Sequence, residues 1–305
     1  MEPSLRQIRY FVAAARAGQI SRAARELNVS QSAITVAVRQ LEEITGCALF
    51  QRRVQGVTLT HNGMIFLEHA GRVLTAVDEA VRAPRNTLSQ LKGRLRLAMT
   101  YTVAGYFLPA YLERFARAYP HITLQPLETT RSEIESGLVT GDFDIAVLLT
   151  SNIADQEGLD FETLFRSPRS LWLPAGHGLL ARDEIHLSDV AQEPYIMLTV
   201  DEASNTALRY WHHAGVRPRT LMRTSSVEAV RSMVANGMGV TILSGMVYRP
   251  WSLEGLRVET VPLASHVPTM DVGLVWSVNA ELTAPAKAFA EFMRTSLARD
   301  RQTHF

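Results

Sequence analysis

The chain has very little cysteine: Cys47 is the only one in 305 residues. A single cysteine excludes an internal disulfide, a metal site built from several thiolates and a two-thiol redox sensor. The nine histidines include no His-Glu-x-x-His spacing. We therefore expect no metal site.

Several catalytic motifs are also missing. The sequence has no Gly-x-Ser-x-Gly nucleophile elbow, no P-loop and no dinucleotide-binding fingerprint. The stretch 236–239, Asn-Gly-Met-Gly, lacks the Lys-Ser/Thr ending of a phosphate loop. We therefore predict no catalytic residues and no cofactor.

Long apolar runs are absent too. No run of eighteen apolar residues occurs, and no apolar signal core follows basic residues near the amino terminus. These absences predict a cytoplasmic protein with no membrane partner. With 47% hydrophobic and 20% charged residues, the chain has a globular composition, and its length allows two or three separate cores.

A helix-turn-helix pattern is present in residues 19–56. Asn28 and Ser30 interrupt the helical periodicity, and both residue types compete for backbone hydrogen bonds at helix ends. Ser30 is the natural N-cap of the second helix.

The second helix has one apolar face. Ile34, Val38 and Leu41 follow one another at spacings of four and three, so they fall on one side of a helix. We predict that this side faces a core that includes Ala24 and Leu27.

The outer face of the same helix suits the major groove of DNA. Gln can hydrogen-bond adenine and Arg can hydrogen-bond guanine, each at two atoms, while Ser and Thr can contact other base edges. Helix-turn-helix proteins place the start of the second helix against the bases. The residues predicted to contact DNA are Ser30, Gln31, Ser32, Thr35 and Arg39. A helical hairpin with solvated polar side chains is the alternative for this segment taken alone.

Residues 46–59 resemble a wing. They include Gly56 where a hairpin would turn, and Arg52 and Arg53 suit contacts with phosphate or the minor groove. Residues 1–91 hold eleven arginines and seven acidic residues, a surplus of four positive charges, whereas the rest has a deficit of three. Counterion release on DNA would therefore favour the amino-terminal part.

Between residues 5 and 63, one set of residues keeps the spacing of a known family over nearly sixty positions. Its members are Leu5, Phe11, Ala23, Ala24, Leu27, Ser30, Gln31, Ser32, Ala33, Ile34, Arg39, Gln40, Leu41, Glu42, Gly46, Leu49, Phe50, Arg52, Leu59, Thr60 and Gly63. This set resembles the LysR-type transcriptional regulators. Two positions depart from the family pattern: Val36, which bears on base preference, and Pro84, which bears on the length of the linker helix.

The resemblance implies an α/β protein with an amino-terminal winged helix-turn-helix domain (1–60) and a long linker or dimerisation helix (61–91). It also implies a two-lobed, periplasmic-binding-protein-like effector domain at 92–305. Lobe I would comprise 92–163 and 268–305, lobe II would comprise 164–267, and the crossings between them would lie near 162–165 and 264–270.

The implied function is sequence-specific, effector-controlled DNA binding. The implied partners are an interrupted inverted repeat in double-stranded DNA, a small organic acid or aromatic metabolite, and further copies of the chain. We expect a homodimer or, more specifically, a homotetramer, with RNA polymerase as a further candidate partner.

The linker helix can also be predicted from its own residues. Thr60 can cap a helix that runs toward Gln90. A narrow apolar seam, typical of one long helix packed on another, is formed by Phe66, Ala70, Val73, Val77 and Val81. The alternative is a helix packed on its own domain.

Beyond Gly93, strands and helices alternate as in an open parallel α/β sheet. The predicted strands are 94–99, 122–127, 143–149, 169–173, 195–198, 240–243 and 271–276. The predicted helices are 107–118, 131–140, 203–214, 227–236 and 284–297.

Ligands of such sheets bind beyond the carboxyl ends of the strands, where helix N-termini offer free N–H groups. The residues selected by this rule are Thr100, Tyr101, Thr102, Thr129, Thr130, Thr150, Thr199, Asp201, Ser226 and Ser244. Their hydroxyls suit a small anion that Arg131 could neutralise. Asp201 would repel an anion unless it is turned away or binds an amine.

Aromatic residues lie in or near the same segments, so an aromatic ligand is an open alternative. They are Tyr101, Trp172, Tyr195, Trp211, Tyr248 and Trp251, and core packing is the favoured role for most of them. A rival function also remains at this point: an α/β enzyme or small-molecule-binding protein with a helical amino-terminal extension.

Overall fold

The structure is a computed structural model that describes residues 2–53, 56–82, 90–152 and 158–304. The chain forms two compact units, one from 1–88 with 298–305 and the other from 89–297. The first unit contains the predicted DNA-binding segment, and the second contains the predicted effector-binding segment.

The described part of the first unit consists of helices and one hairpin. In order they are α1 (Leu5–Ala17), α2 (Ile20–Glu26), α3 (Gln31–Thr45), β1 (Phe50–Arg53), β2 (Gly56–Leu59) and α4 (His61–Arg82). The first helix begins at a capping box in which Ser4 and Gln7 each accept a hydrogen bond from the backbone N–H of the other. It ends at Gly18, whose φ of 66° lies in the left-handed region.

The predicted turn between α2 and α3 is present. Asn28 has a φ of 53°, which asparagine adopts more readily than most residues. Ser30 then caps α3 by accepting a hydrogen bond from the backbone N–H of Ala33 at 3.2 Å. These two residues set the angle between the helices because one reverses the chain and the other starts the next helix.

The core of the first unit lies under α3. Ile34, Val38 and Leu41 are buried, as predicted, and Phe11 of α1 packs between the rings of Phe50 and Phe66. The prediction for Leu27 was wrong. Its side chain is 38% exposed because it is the C-cap residue of α2, where the chain turns away from the core.

The hairpin of β1 and β2 is anchored at both ends. The Glu42 carboxylate of α3 accepts hydrogen bonds from the backbone N–H groups of Leu49, at 2.8 Å, and Phe50, at 3.1 Å. At the turn, a Cβ on Gly56 would lie only 2.2 Å from the carbonyl oxygen of Gly18. Only glycine fits at position 56, so the predicted wing packs closely on the end of α1.

Helix α4 starts where the sequence predicts. The Thr60 hydroxyl accepts a hydrogen bond from Gly63 N–H at 2.9 Å and donates one to the Ala48 carbonyl at 2.7 Å. Part of the predicted seam packs on its own domain, since Phe66 and Ala70 belong to the core of the first unit. Val73 is 41% exposed.

The far end of the linker lies outside the described residues. This applies to Pro84 and to the rest of 83–89, and to the side chain of Val81 in the seam.

Lobe I is built on a five-stranded sheet in the order β4-β3-β5-β12-β6. Its described strands and helices are β3 (Gly93–Met99), α5 (Tyr101–Tyr106), α6 (Pro109–Ala118), β4 (Ile122–Glu128), α7 (Arg131–Thr140), β5 (Ile145–Leu149), β6 (Leu159–Ser167), β12 (Met270–Ser277) and α11 (Ala284–His304). The central strand β5 is buried at all five positions, which explains its continuous apolar sequence. Phe115 of α6 packs edge-on against Phe289 of α11.

Lobe II contains a three-stranded antiparallel sheet, β10-β7-β11, and a parallel pair, β8-β9. Its described elements are β7 (Arg169–Pro174), α8 (Leu187–Val190), β8 (Pro194–Leu198), α9 (Ala203–His213), β9 (Arg219–Thr224), α10 (Val227–Ala235), β10 (Thr241–Ser244) and β11 (Val258–Val261). Trp172, Tyr195 and Trp211 are buried in its core, the favoured role for these aromatics, whereas Trp251 is 43% exposed.

The fully parallel sheet that the sequence suggested is wrong in detail. Strands β3, β4 and β5 are parallel, but β12 is antiparallel to both β5 and β6 because the chain returns to lobe I from the other lobe. The first crossing also lies further along than 162–165. Strand β6 stays in the lobe I sheet as far as Ser167, which pairs with Met270, so the chain crosses at Pro168.

Within the ranges that the structure describes, no helix is both long enough and apolar enough to span a membrane.

Candidate functional site

The start of α3 presents a compact polar surface. Ser30, Gln31 and Ser32 are exposed, and the Ser30 and Ser32 hydroxyls lie 2.9 Å apart. Thr35, one turn later, donates its hydroxyl proton to the Gln31 carbonyl at 2.9 Å. Together with Arg39, these residues form what we call the reading face of α3. It lies opposite the buried face, so it is accessible along the whole helix.

Arg39 is held only loosely. Its Nε lies 3.0 Å from a Glu43 carboxylate oxygen, but its side chain is 80% exposed. An exposed ion pair one helical turn apart contributes only about 0.3–0.5 kcal/mol, so the guanidinium can exchange Glu43 for another anion at little cost. Val36 is also exposed on this helix and offers an apolar contact beside the polar ones.

The wing carries the other two predicted DNA contacts. Arg52 and Arg53 are in β1, and Arg53 pairs with Gly56 at the tip of the hairpin. Their backbone positions lie toward the tip of the wing; their side chains lie outside the described residues.

In the second unit, a cavity lies between the two lobes. It is small in this arrangement of the lobes and partly open to solvent. We call it the effector cleft, and its lining residues are Thr102, Leu149, Arg169, Tyr195, Met197, Leu198, Val200, Asp201, Ala203, Ala207, Tyr210, Ile242, Leu243, Ser244, Val247 and Met270. A smaller neighbouring cavity is lined by Thr100, Arg131, Leu148, Leu149, Asp201 and Glu202.

Four of the predicted effector contacts line these cavities. Thr102, Asp201 and Ser244 line the effector cleft, and Thr100 lines the smaller cavity with Asp201. The Thr100 hydroxyl is buried and has no hydrogen-bond partner among the described residues. A buried hydroxyl without a partner is unfavourable, so this one is available to a ligand.

The other predicted contacts line neither cavity, and most of them have a structural role. Thr129 and Thr130 donate hydroxyl hydrogen bonds to Glu133 at the start of α7, and these bonds lower the pKa of that carboxyl. The Thr150 hydroxyl lies 3.0 Å from the Thr163 hydroxyl.

The remaining three also lie away from the cavities. Tyr101 packs against the core of the effector unit, the Thr199 N–H donates to the Thr224 carbonyl at 2.8 Å, and Ser226 caps α10. These positions were selected because they follow strands, but a helix-capping hydroxyl is already satisfied within the protein.

Arg169 was missed by the sequence rule. It begins β7 just after the crossing between the lobes, and its Nη1 donates to the carbonyl oxygens of Pro268 and Thr269, the latter at 2.8 Å. These carbonyls lie about a hundred residues away in sequence, at the second crossing. Burial lowers the pKa of the guanidinium, and the nearby Tyr210, Tyr195 and Asp271 oppose this shift.

Within the described ranges, three side-chain contacts link acidic residues of lobe II to lobe I. Asp201 Oδ2 accepts from the backbone N–H of Thr102 at 2.7 Å, and Glu202 lies 3.0 Å from Arg131. Asp201 and Glu202 are consecutive residues with φ values of 48° and 61°, an uncommon conformation for residues other than glycine. Because the chain turns in this way, adjacent carboxylates both reach the opposite lobe.

The third contact joins α5 to α10. The Tyr106 hydroxyl donates to Glu228 at 2.9 Å. Burial and this hydrogen bond raise the pKa of Tyr106 to about 12, so the phenol remains a donor at ordinary pH. Glu228 also forms an ion pair with the buried Arg231.

No group of three or more His, Cys, Asp or Glu residues within the described ranges could hold a metal ion.

Two family matches account for both units. Residues 5–64 match "Bacterial regulatory helix-turn-helix protein, lysR family", and residues 88–298, more than half of the chain, match "LysR substrate binding domain". The chain belongs to the LysR family. Similar proteins include the RuBisCO operon transcriptional regulator of Allochromatium vinosum, which is 30% identical over 98% of each chain.

Two further comparisons agree with this family assignment. The HTH-type transcriptional regulator AlsR of Bacillus subtilis is 28% identical over 82% of this chain and 83% of its own. Among solved structures, HinK, a LysR family transcriptional regulator from Pseudomonas aeruginosa, has a TM-score of 0.64 and 29% identity, over 97% of this chain and 99% of HinK.

The similarities confirm the resemblance found in the sequence. This LysR-family chain is a DNA-binding transcriptional regulator with a small-molecule effector domain, and it is not an enzyme. The rival interpretation, an enzyme or binding protein with a helical extension, is therefore set aside.

Proposed function

We propose that the regulator reads an interrupted inverted repeat in double-stranded DNA through the reading face of α3 and the arginines of the wing. The DNA-binding domain would comprise residues 1–60, the linker 61–91, and the effector domain 92–305. The observation that carries the proposal is the reading face, whose polar residues are exposed or partly exposed on a helix whose other side is buried.

The residue types of this face match base recognition. Gln31 and Arg39 can each form two hydrogen bonds to one purine, and Ser32 and Thr35 can contact other base edges. Ser30 and the wing arginines, Arg52 and Arg53, suit phosphate contacts that fix the position of the domain on DNA. Val36 suits a thymine methyl group, which would bias the preferred sequence toward T at that position.

An inverted repeat requires two copies of the domain related by a twofold axis. Helix α4 offers exposed apolar side chains for such pairing, namely Ile65 and Val73. We propose a homodimer as the DNA-reading unit and a homotetramer as the assembly, located in the cytoplasm with RNA polymerase as a further partner.

The effector cleft would hold the controlling metabolite. A ligand there contacts both lobes, so it favours one relation between them. Coupling to DNA requires that the ligand binds the two arrangements of the assembly with different affinity.

The test is selection of genomic DNA fragments by the purified full-length protein, followed by binding measured at increasing salt. We expect enrichment of one interrupted palindrome, and binding that weakens with salt as counterions are displaced from phosphates. Equal binding to all fragments would contradict the proposal.

Substitutions in the reading face test the proposal at single residues. Gln31→Ala and Arg39→Ala should each weaken binding to the selected palindrome about tenfold or more while leaving binding to random DNA much less affected. Arg72→Ala is the matched control because Arg72 is also exposed and pairs with a glutamate one turn away, but on α4. If Arg72→Ala weakened specific binding as strongly as Arg39→Ala, the reading face would not be the site of recognition.

A further inference from the structure

The effector cleft has one positively charged side chain set among apolar ones. Much of its wall is aliphatic or thioether, from residues of β8, β10 and β12 and their flanking turns; these include Met197, Leu198, Ile242, Leu243, Val247 and Met270. Arg169 lines the same cavity. A mostly apolar pocket with a few polar or charged groups is typical of sites that orient a small ligand.

Arg169 lacks an acidic partner within the described part of the chain. Its hydrogen bonds there run from Nη1 to two backbone carbonyls, and no described carboxylate forms an ion pair with it. The nearest acidic influence comes from Asp271, which is instead paired with Arg166 at 3.4 Å and accepts from the Thr269 hydroxyl. Tyr195 and Tyr210 also line the cavity, and their hydroxyls lie 3.3 Å from each other.

Two other arginines at the lobe interface are paired with carboxylates. Arg131 forms ion pairs with Glu135 and Glu202, and Arg231 forms one with Glu228. Removing a guanidinium from water without a counter-charge is unfavourable, and the lowered pKa of Arg169 reflects that cost. A carboxylate bound in the cleft would supply the missing negative charge and could accept two parallel hydrogen bonds.

We propose that the effector is a small monocarboxylate with an apolar body, whose carboxylate binds Arg169 while the body contacts the aliphatic wall. This inference rests on the proposed role of the cleft as the effector site. Asp201 restricts the ligand to a single carboxylate because its own negative charge also lines the cavity and is fixed there by the Thr102 N–H. A second carboxylate on the ligand would lie in the same cavity as this like charge, and Arg169 is the only cationic residue, among those described, that lines it.

The test uses straight-chain compounds of four to eight carbons and the full-length protein, with binding measured by titration calorimetry. At each length the series contains the monocarboxylate, its primary amide, the dicarboxylate and the ω-amino acid. At six carbons these are hexanoate, hexanamide, adipate and 6-aminohexanoate. We expect a monocarboxylate to bind at least about tenfold more tightly than its amide, as a hydrogen-bonded charge does relative to a neutral group. The dicarboxylate should bind more weakly than the monocarboxylate.

Three variants separate the charge from the shape of the site. Arg169→Gln should remove the preference for acid over amide, and retained amide binding would show that the pocket is intact. Arg182→Gln is the matched control, since it removes an exposed arginine of lobe II that pairs with Asp189 and does not line the cavity, so it should preserve the preference. Asp201→Asn keeps Arg169 and should bring dicarboxylate binding closer to monocarboxylate binding.

Several results would contradict the proposal that the effector is a monocarboxylate. They are amides binding as tightly as acids, a preference that survives Arg169→Gln, tighter binding of the dicarboxylate or ω-amino acid, and no binding by any acid of the series. Selection of genomic DNA with the same protein sample separates this inference from the proposed function. If one palindrome is still enriched but none of the acids binds, the proposed DNA-binding function is retained and only the proposed class of effector is wrong.

Discussion

Gly63 and Gly71 are both in α4, but their surroundings differ. A Cβ on Gly63 would lie 2.0 Å from the Leu49 carbonyl oxygen and 3.0 Å from the Leu59 side chain. A Cβ on Gly71 would meet nothing within 4 Å. The same substitution should therefore have opposite effects at the two positions.

Gly63→Ala should lower the free energy of unfolding of the first unit by about 1–3 kcal/mol because the backbone of the wing must shift. Gly71→Ala should raise it by about 0.5–1 kcal/mol, since alanine favours the helix where space is available. All four tryptophans lie in the second unit, so calorimetry or far-ultraviolet circular dichroism is needed to follow the first. Equal effects of the two substitutions would contradict this account of the packing.

Single residues also show where sequence reasoning ends. Ser30 could be identified as a cap because a cap depends on neighbours in sequence. The role of Arg169 could not, because its partners at Pro268 and Thr269 come close only after the chain has crossed between the lobes twice. Thr129 and Thr130 illustrate the opposite case: they line neither cavity, and their hydroxyls form a local cap with Glu133 that the rule did not consider.

Helices α5 and α10 are joined by a hydrogen bond whose strength should depend on pH. Burial alone would raise the pKa of Glu228, but hydrogen bonds from Arg231 and Tyr106 outweigh it and leave that pKa below its ordinary value. A carboxyl with a lowered folded-state pKa adds stability above its unfolded pKa and loses it as pH falls through the folded value. Tyr106 behaves in the opposite sense, since its pKa is raised to about 12.

Glu228→Gln should therefore destabilise the effector unit by about 1–3 kcal/mol near pH 7, because it leaves Arg231 without its counter-charge. The difference from the natural protein should shrink as pH falls below the ordinary glutamate value of 4.5. For Tyr106→Phe, the difference should persist up to about pH 10 and disappear as pH rises through about 12. Denaturant unfolding followed by tryptophan fluorescence measures both, and a difference that is constant across these ranges would exclude the linkage.

Helices and strands with a clear apolar pattern in the sequence could be predicted, whereas strands without one could not. Helix α7 matches the prediction at both ends, and the buried strand β5 lies within its predicted range. Strand β9 was missed because all but one of its positions are exposed, so it shows no alternation of apolar and polar residues. Strand β6 was taken for a crossing between lobes because its buried positions are few and irregular.

At the level of the whole molecule, assembly can be tested through α4. Ile65 and Val73 are 46% and 41% exposed, while neighbouring apolar residues of the helix pack inside the first unit. Burying such side chains between two copies is favourable because it removes apolar surface from water.

Light scattering after gel filtration should show a dimer or tetramer for the natural protein and a smaller assembly for Val73→Glu. Leu253→Glu is a suitable control because Leu253 is an exposed leucine in the other unit. A monomer of the natural protein at high concentration would contradict the proposed role of α4.

The tandem left-handed residues Asp201 and Glu202 affect how readily the lobes separate. A non-glycine residue held in this region costs about 1–3 kcal/mol, and the cost persists only while surrounding contacts maintain it. Separating Asp201 from Thr102 and Glu202 from Arg131 would let both residues relax, which partly offsets the lost contacts. This relaxation would bring an open arrangement of the lobes closer in free energy to the closed one, so a metabolite that discriminates only weakly between them would still change their ratio.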